Sequence, residues 1–178
     1  MVIRRRIQID GPALVFVTTT VTDWVPLFTD ESLATLALMQ LQETASYFDA
    51  SVAAYVLMPS HLHVLLGLPS VGGLSQLMQA FKGLSSRKIG EYLLQNVCVN
   101  SHRIDGRRVW KPRFDDLIVW SEKQFKIKIE YIHNNPVKAG LVSNPTEYRY
   151  SSAQDWLRDL PGLIEVDKSW SWYREESH

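Results

Sequence analysis

His61 and His63 stand two residues apart in Met58-Pro59-Ser60-His61-Leu62-His63-Val64-Leu65-Leu66. The segment follows a proline, is rich in aliphatic residues and ends at Gly67-Leu68-Pro69, the composition of a strand. Side chains alternate faces along a strand, so both imidazoles point one way and Leu62 the other. Two imidazoles side by side can share one cation; the bland alternative is a pair of partly buried rings satisfied by hydrogen bonds. A second group lies far along the chain, in Lys128-Ile129-Glu130-Tyr131-Ile132-His133-Asn134-Asn135-Pro136. If helical geometry persists for one turn past Tyr131, then Tyr131 and Asn135 share a face at i and i+4. Laid over the side of the sheet that carries His61 and His63, that face would bring a cation, a phenol and an amide oxygen together. Such a site suits phosphoryl transfer. Phenols are protonated near neutral pH and attack poorly, a handicap that a divalent ion reduces by polarising the phosphodiester. The product would be a covalent phosphotyrosine. Spacing does not choose the ion, since an imidazole pair also suits zinc or another transition metal. His133, two residues from Tyr131, should face elsewhere on a helix, in a structural or phosphate-contacting role.

Positioning these groups takes a sheet and helices to cover it. Residues 13–22 (ALVFVTTTVT) are dense in β-formers and continuous in their apolar half, as in a central strand. Thr29 or Asp30 can cap a helix in which Leu33, Leu36, Ala37, Leu41 and Phe48 recur at helical spacing. Residues 52–58 form the next strand, and only Pro59 and Ser60 separate it from the histidine strand, so the two should pair as antiparallel neighbours. Gly72-Gly73 opens a second helix with Leu74, Leu77, Met78, Phe81, Leu84 and Tyr92 on its apolar face, interrupted by the poor helix formers Gly83 and Gly90. Two extended pieces are expected around the Asp105-Gly106 turn, and residues 113–120 read as a strand or a loop. Ser121 caps a helix through Phe125, Ile129 and Ile132, which Asn135-Pro136 should interrupt before a short turn ending at Gly140. Residues 147–156 should start a small docking helix. The order is strand, helix, strand, strand, helix, extended pieces, helix. It predicts an α+β sandwich, an antiparallel sheet with helices on one face.

At 178 residues the chain suits one domain, assigned here to residues 1–156 with a tail at 157–178. The single cysteine, Cys98, cannot form an internal disulfide, which fits a reducing compartment. No apolar run of about eighteen residues suits a membrane span, and Met1-Val2-Ile3-Arg4-Arg5-Arg6 lacks the apolar core of a signal peptide, so a cytoplasmic protein with no membrane partner is expected. Net charge is zero, which as a total argues against nucleic acid. The distribution points the other way: residues 7–81 hold six acids and no Lys or Arg, whereas residues 82–128 hold eleven basic and five acidic residues. Lys82, Arg87, Lys88, Arg103, Arg107, Arg108, Lys111 and Arg113 are interleaved with Trp110 and Phe114 in that block. Bases and phosphates of single-stranded nucleic acid are held by such a mixture, and a solvated face over core aromatics would have the same composition.

The sequence resembles the single-tyrosine members of the HUH nuclease family, and among them the REP-associated tyrosine transposases, relatives of small insertion-sequence transposases. The resemblance is carried by Val56-Leu57-Met58-Pro59-Ser60-His61-Leu62-His63-Val64, by Tyr131-Ile132-His133-Asn134-Asn135-Pro136-Val137-Lys138-Ala139-Gly140-Leu141-Val142 and by Tyr148-Arg149-Tyr150-Ser151-Ser152-Ala153. Weaker agreement lies in Thr18-Thr19-Thr20 and in residues 110–118, so about residues 13–156 are covered. The resemblance implies a ferredoxin-like sandwich with the histidine pair on a central strand. It implies Mg2+ or Mn2+ held by His61 and His63 with Asn135 as third protein ligand. It implies that Tyr131 attacks a phosphodiester of single-stranded DNA, stays joined to the 5′ end and frees a 3′ hydroxyl. The implied partners are hairpins of repetitive extragenic palindromes (REP), bound by Lys82, Arg87, Lys88, Arg107, Arg108, Lys111 and Arg113, with Arg4, Arg5 and Arg6 as additions. Leu117 departs from the family pattern, which has a basic or imidazole side chain after the acid at Asp116, and this puts Asp116 in doubt as a site residue.

A hairpin-binding module with little or no turnover is the alternative from another class. Hairpin affinity indifferent to chelator and to Tyr131→Phe would mark it. A two-histidine phosphoesterase without a covalent step fits less well, since the chain has one His-x-His pair and no His-x-Ser or His-x-Thr repeat. Both a monomer and a homodimer are compatible with the sequence, and the short link from the basic block to Ser121 favours a site completed within one chain.

Overall fold

A computed structural model describes residues 11–96 and 108–170. Four strands, β1 (Ala13–Thr20), β2 (Ser51–Met58), β3 (His61–Leu68) and β4 (Asp115–Val119), form one antiparallel sheet in the order β2-β3-β1-β4. With α1 (Glu31–Tyr47) between β1 and β2 and α2 (Leu74–Gln95) between β3 and β4, this is the βαββαβ sequence of a ferredoxin-like fold. The histidine strand β3 is central, as expected. β2 and β3 are joined by the two-residue link Pro59-Ser60.

The sheet alternation sorts the side chains into two layers. Val15, Val17, Leu62, Val64 and Leu66 face α1 and α2 and are buried with Leu33, Leu41, Leu77 and Phe81. Leu14, Phe16, Val56 and Leu65 point to the opposite side, the side of His61 and His63, and are covered by Phe125 and Ile132 of α3 (Glu122–Lys138). Asp30 is the α1 cap, its carboxylate accepting from the Ser32 and Leu33 amides at 2.9 and 3.0 Å. The α2 helix runs unbroken through Gly83 and Gly90, because burial of Leu77, Met78, Phe81 and Ile89 outweighs the weak propensity of two glycines.

Three boundaries differ from the sequence reading. The first strand stops at Thr20 rather than residue 22: Val21 leaves the ladder to bridge Trp110, and Thr22–Trp24 turn into a 3-10 helix. The tyrosine helix is not interrupted at Asn135-Pro136 but continues to Lys138, with Gly140 beyond it at φ +72°. Pro136 falls in the last turn, so it forfeits one hydrogen bond while its ring is buried, and Ala139 and Leu141 donate to the Asn135 and Pro136 carbonyls. Instead of one helix over residues 147–156, a 3-10 turn at Pro145–Glu147 leads into extended chain, and α4 (Ala153–Arg158) starts later. The extended part lies on the outer edge of β2. Leu57 donates to the Tyr150 carbonyl, Ser152 donates to the Tyr55 carbonyl, and Tyr148 donates through its hydroxyl to the Leu57 carbonyl. Farther along, Asp167 donates to the Val52 carbonyl and Ile164 is buried, so residues 159–170 continue the cover of that edge. The extended piece expected at residues 98–105, the first two residues of the one expected at 106–110, and Trp172 and Tyr173 lie outside the described residues.

Candidate active site

The histidine pair stands at the end of β3 nearest the Pro59-Ser60 turn. Its ring centroids are 4.8 Å apart, and the two rings share one face of the sheet as the strand period requires. Each Nδ1 faces a hydroxyl: Thr18 Oγ1 lies 2.7 Å from His63 Nδ1, and Ser60 Oγ lies 3.4 Å from His61 Nδ1. That arrangement leaves the two Nε2 atoms for a cation. Phe16 stacks beneath His63 at 5.6 Å and 16°. Burial, the neighbouring His61 and the Lys128 ammonium together press His63 down to about 3, and burial also lowers His61. Both rings are therefore neutral at neutral pH, the form that binds metal.

Tyr131 comes from α3 and closes the site. Its ring is 5.2 Å from the His63 ring and 5.9 Å from Phe16, both edge-on, and 39% of the residue is exposed. The tyrosine and both histidines belong to one chain. The ring is flanked by ammonium groups, Lys128 Nζ at 5.6 Å and Lys138 Nζ at 5.8 Å from its centroid. Asn135, half-buried one turn on, donates through Nδ2 to the Tyr131 backbone carbonyl at 3.1 Å, which ties its amide to the preceding turn of the helix. Among the described residues no three His, Cys, Asp or Glu side chains cluster around a possible ion. The donor chemistry fits a divalent cation held by two neutral imidazoles, with its remaining positions filled by an amide, water or phosphate oxygen.

Other residues singled out in the sequence fall in different places. His133 is buried, with Nε2 2.8 Å from Ser152 Oγ, and that oxygen accepts from the Tyr55 amide at 2.9 Å. Its role is structural, tying α3 to β2. Asp116 pairs with Val17, on the α1 and α2 side of the sheet, away from the histidines. Asp115 and Leu117, opposite Thr18 and Phe16, are the β4 residues on the histidine side. Lys82 is half-buried and donates to the carbonyls of Lys111, Pro112 and Arg113 at 2.9, 3.4 and 3.0 Å, and burial lowers its ammonium to about 8. Its donors tie down the chain ahead of β4. Arg87 pairs with Glu91 and Lys88 with Glu43, whereas Arg108 and Arg113 are exposed. Trp110 is core, not a stacking surface: it is 3% exposed, between Phe28 and Phe81, and donates to Ser85 Oγ. Arg4, Arg5, Arg6 and Arg107 lie outside the described residues. Sequence reasoning did not assign Phe16, Thr18, Lys128 and Lys138 to the site; the period of β1 puts Phe16 and Thr18 on one face, but only the pairing of β1 with β3 shows that they meet His63.

The family model described as "Transposase IS200 like" matches residues 15–135, more than half of the chain, and takes in His61, His63, Tyr131 and Asn135. A Haemophilus influenzae protein provisionally named a REP-associated tyrosine transposase is 26% identical over 113 residues, 62% of this chain and 63% of that one. The REP-associated tyrosine transposase of Escherichia coli K12 is 24% identical over 117 residues, 65% of this chain and 61% of that one. The matched stretch thus spans less than two thirds of either relative. In fold, the chain is similar to a solved REP-associated tyrosine transposase bound to a REP hairpin, with a TM-score of 0.63 at 19% identity over 96% of this chain and 94% of that chain. Among the described residues no helix is long and apolar enough to cross a membrane. A family match that runs from within β1 to the helical turn after Tyr131 takes in residues of all four strands together with His61, His63 and Tyr131, and the chain belongs to the IS200-like transposases.

Proposed function

We propose that this chain is a metal-dependent single-stranded DNA nickase and strand transferase that acts on hairpin DNA of the REP type through a tyrosine–DNA intermediate. The observation that carries the reading is the meeting of three rings from distant parts of the chain, His61, His63 and Tyr131, at 4.8 and 5.2 Å on one face of the sheet. His61, His63 and the Asn135 side-chain oxygen would hold Mg2+ or Mn2+. When bound, such an ion polarises the phosphodiester and offsets charge that develops on the leaving oxygen. The Tyr131 oxygen attacks phosphorus, the bond from phosphorus to the 3′ oxygen breaks, and the 5′ phosphate remains on the tyrosine. The phenolic proton passes to water and the released 3′ oxygen gains one, leaving a hydroxyl that can reverse the reaction. Thr18 orients His63, Phe16 supports both the His63 and Tyr131 rings, and Lys128 and Lys138 place positive charge beside the anionic backbone. The exposed Arg108 and Arg113 would contact phosphates beyond the site.

Hairpin DNA with a single-stranded foot, incubated with the protein and Mn2+, should yield an adduct that survives denaturation and is absent with chelator. Tyr131→Phe abolishes it. An adduct that persists in Tyr131→Phe would sink the assignment, and chelator-insensitive hairpin binding with no cleavage would leave a binding module.

A further inference from the structure

We propose that Trp24 is a stacking platform for an unpaired nucleobase beside the reacting phosphodiester, with Lys111 as its cationic partner. This rests on the reading of the His61, His63 and Tyr131 cluster as a centre that takes single-stranded DNA. Trp24 is an exposed aromatic beside that cluster, outside the reacting group itself: its ring lies 5.9 Å from the His61 ring, edge-on, and 58% of the residue is exposed. Trp120, 52% exposed, follows Val119, which pairs with Leu14 at the opposite end of β1, so it is not its equivalent.

Both Asp23 and Trp24 have φ of +56°, a left-handed backbone that bulky side chains rarely adopt. Surrounding structure must impose such a conformation, and here it does. Val21 donates to the Ser60 carbonyl and Thr22 to the Val109 carbonyl, each at 2.8 Å, and Trp24 donates to the Val21 carbonyl at 3.1 Å. Lys111 donates through its backbone to Thr20 at 2.8 Å and sets its Nζ 4.8 Å from the Trp24 ring centroid. The loop is clamped between the turn that presents His61 and the segment that carries Lys111. A tryptophan that served only to fill space would be buried. This one is exposed on a hydrogen-bonded loop, next to a candidate metal ligand. An indole face with an adjacent ammonium group suits a base and its phosphate, a recognition mode indifferent to base identity.

The test uses the full chain and two fluorescein-labelled probes of equal charge, a dT12 oligonucleotide and a 12-mer of abasic sites, with anisotropy as readout. The wild type should bind dT12 more tightly than the abasic probe. Trp24→Ala should weaken dT12 binding about tenfold, within the range of a single base–aromatic stack, and leave abasic binding unchanged, while Lys111→Ala weakens both. Trp24→Phe should keep most of the dT12 affinity and Trp24→Leu should lose it, a comparison that stands even if the alanine variant folds poorly. Unchanged dT12 binding in Trp24→Ala and Trp24→Leu, or equal loss for both probes, overturns the platform. A wild type that prefers dT12 yet forms no adduct removes the nickase reading alone; an adduct without that preference removes the platform alone.

Discussion

Replacing His133 with glutamine removes a titrating ring while keeping a side chain that can reach Ser152, so the variant isolates the acid sensitivity of one buried imidazole. His133 is 3% exposed, and burial lowers it from the ordinary 6.5 to about 4. The folded protein therefore binds this proton less readily than the unfolded chain, and acid favours unfolding. Well above pH 6.5 both states hold a neutral ring and the group contributes no pH dependence. Stability falls as pH drops from 6.5 to 4 and levels off below. At pH 5 the linkage relation gives a loss of about 2 kcal/mol, against almost none at pH 7. Urea unfolding followed by far-ultraviolet circular dichroism, in chelator, should show wild-type stability falling between pH 7 and pH 5 by about 2 kcal/mol more than that of His133→Gln. His63 is lowered as well, but it titrates in both proteins and cancels in the difference. Parallel pH profiles for the two proteins would refute the reasoning. They would mean that His133 is not held neutral by the packing of α3 on β2.

Thr18→Val keeps the shape of the β1 residue but removes the hydroxyl 2.7 Å from His63 Nδ1, and should weaken Mn2+ binding about 10- to 100-fold with the melting temperature nearly unchanged; calorimetric titration with unchanged affinity would exclude an orienting role. Lys82→Met should cost about 1.5–3 kcal/mol of stability through its lost carbonyl contacts and leave DNA affinity unaltered. The reverse pattern, intact stability with weaker DNA binding, would restore it as a phosphate contact. Ser152→Ala strips the Tyr55 amide of its side-chain acceptor and His133 of its partner, and should destabilise by about 1–3 kcal/mol in chemical denaturation. Arg108→Ala combined with Arg113→Ala should flatten the salt dependence of single-stranded DNA binding by about 0.7 in log–log slope per lost phosphate contact; an unaltered slope would place the DNA on another surface.

Much of the frame was legible in the sequence because it is local. The strand period alone puts His61 and His63 on one face. The Asp30 and Ser121 caps, and Gly140 past the last turn of α3, mark helix ends by backbone chemistry that acts within a few residues. Motif resemblance added the family and the pairing of Tyr131 with the histidines, which no local pattern contains. What the tertiary structure decided depends on groups distant in sequence. The basic block looked uniform as a string, yet burial makes Lys82 a backbone tie and Trp110 a core residue, while Arg108 stays in solvent. Asp116 and Asp115 are adjacent, but the pairing register with β1 sends only Asp115 to the histidine side. Pro136 would stop an isolated helix; burial and its place in the last turn let α3 continue, so Tyr131 and Asn135 stay on one helix. Composition and spacing fix what a residue can do, whereas burial and register fix which neighbours it meets, and those are settled only when the whole chain packs.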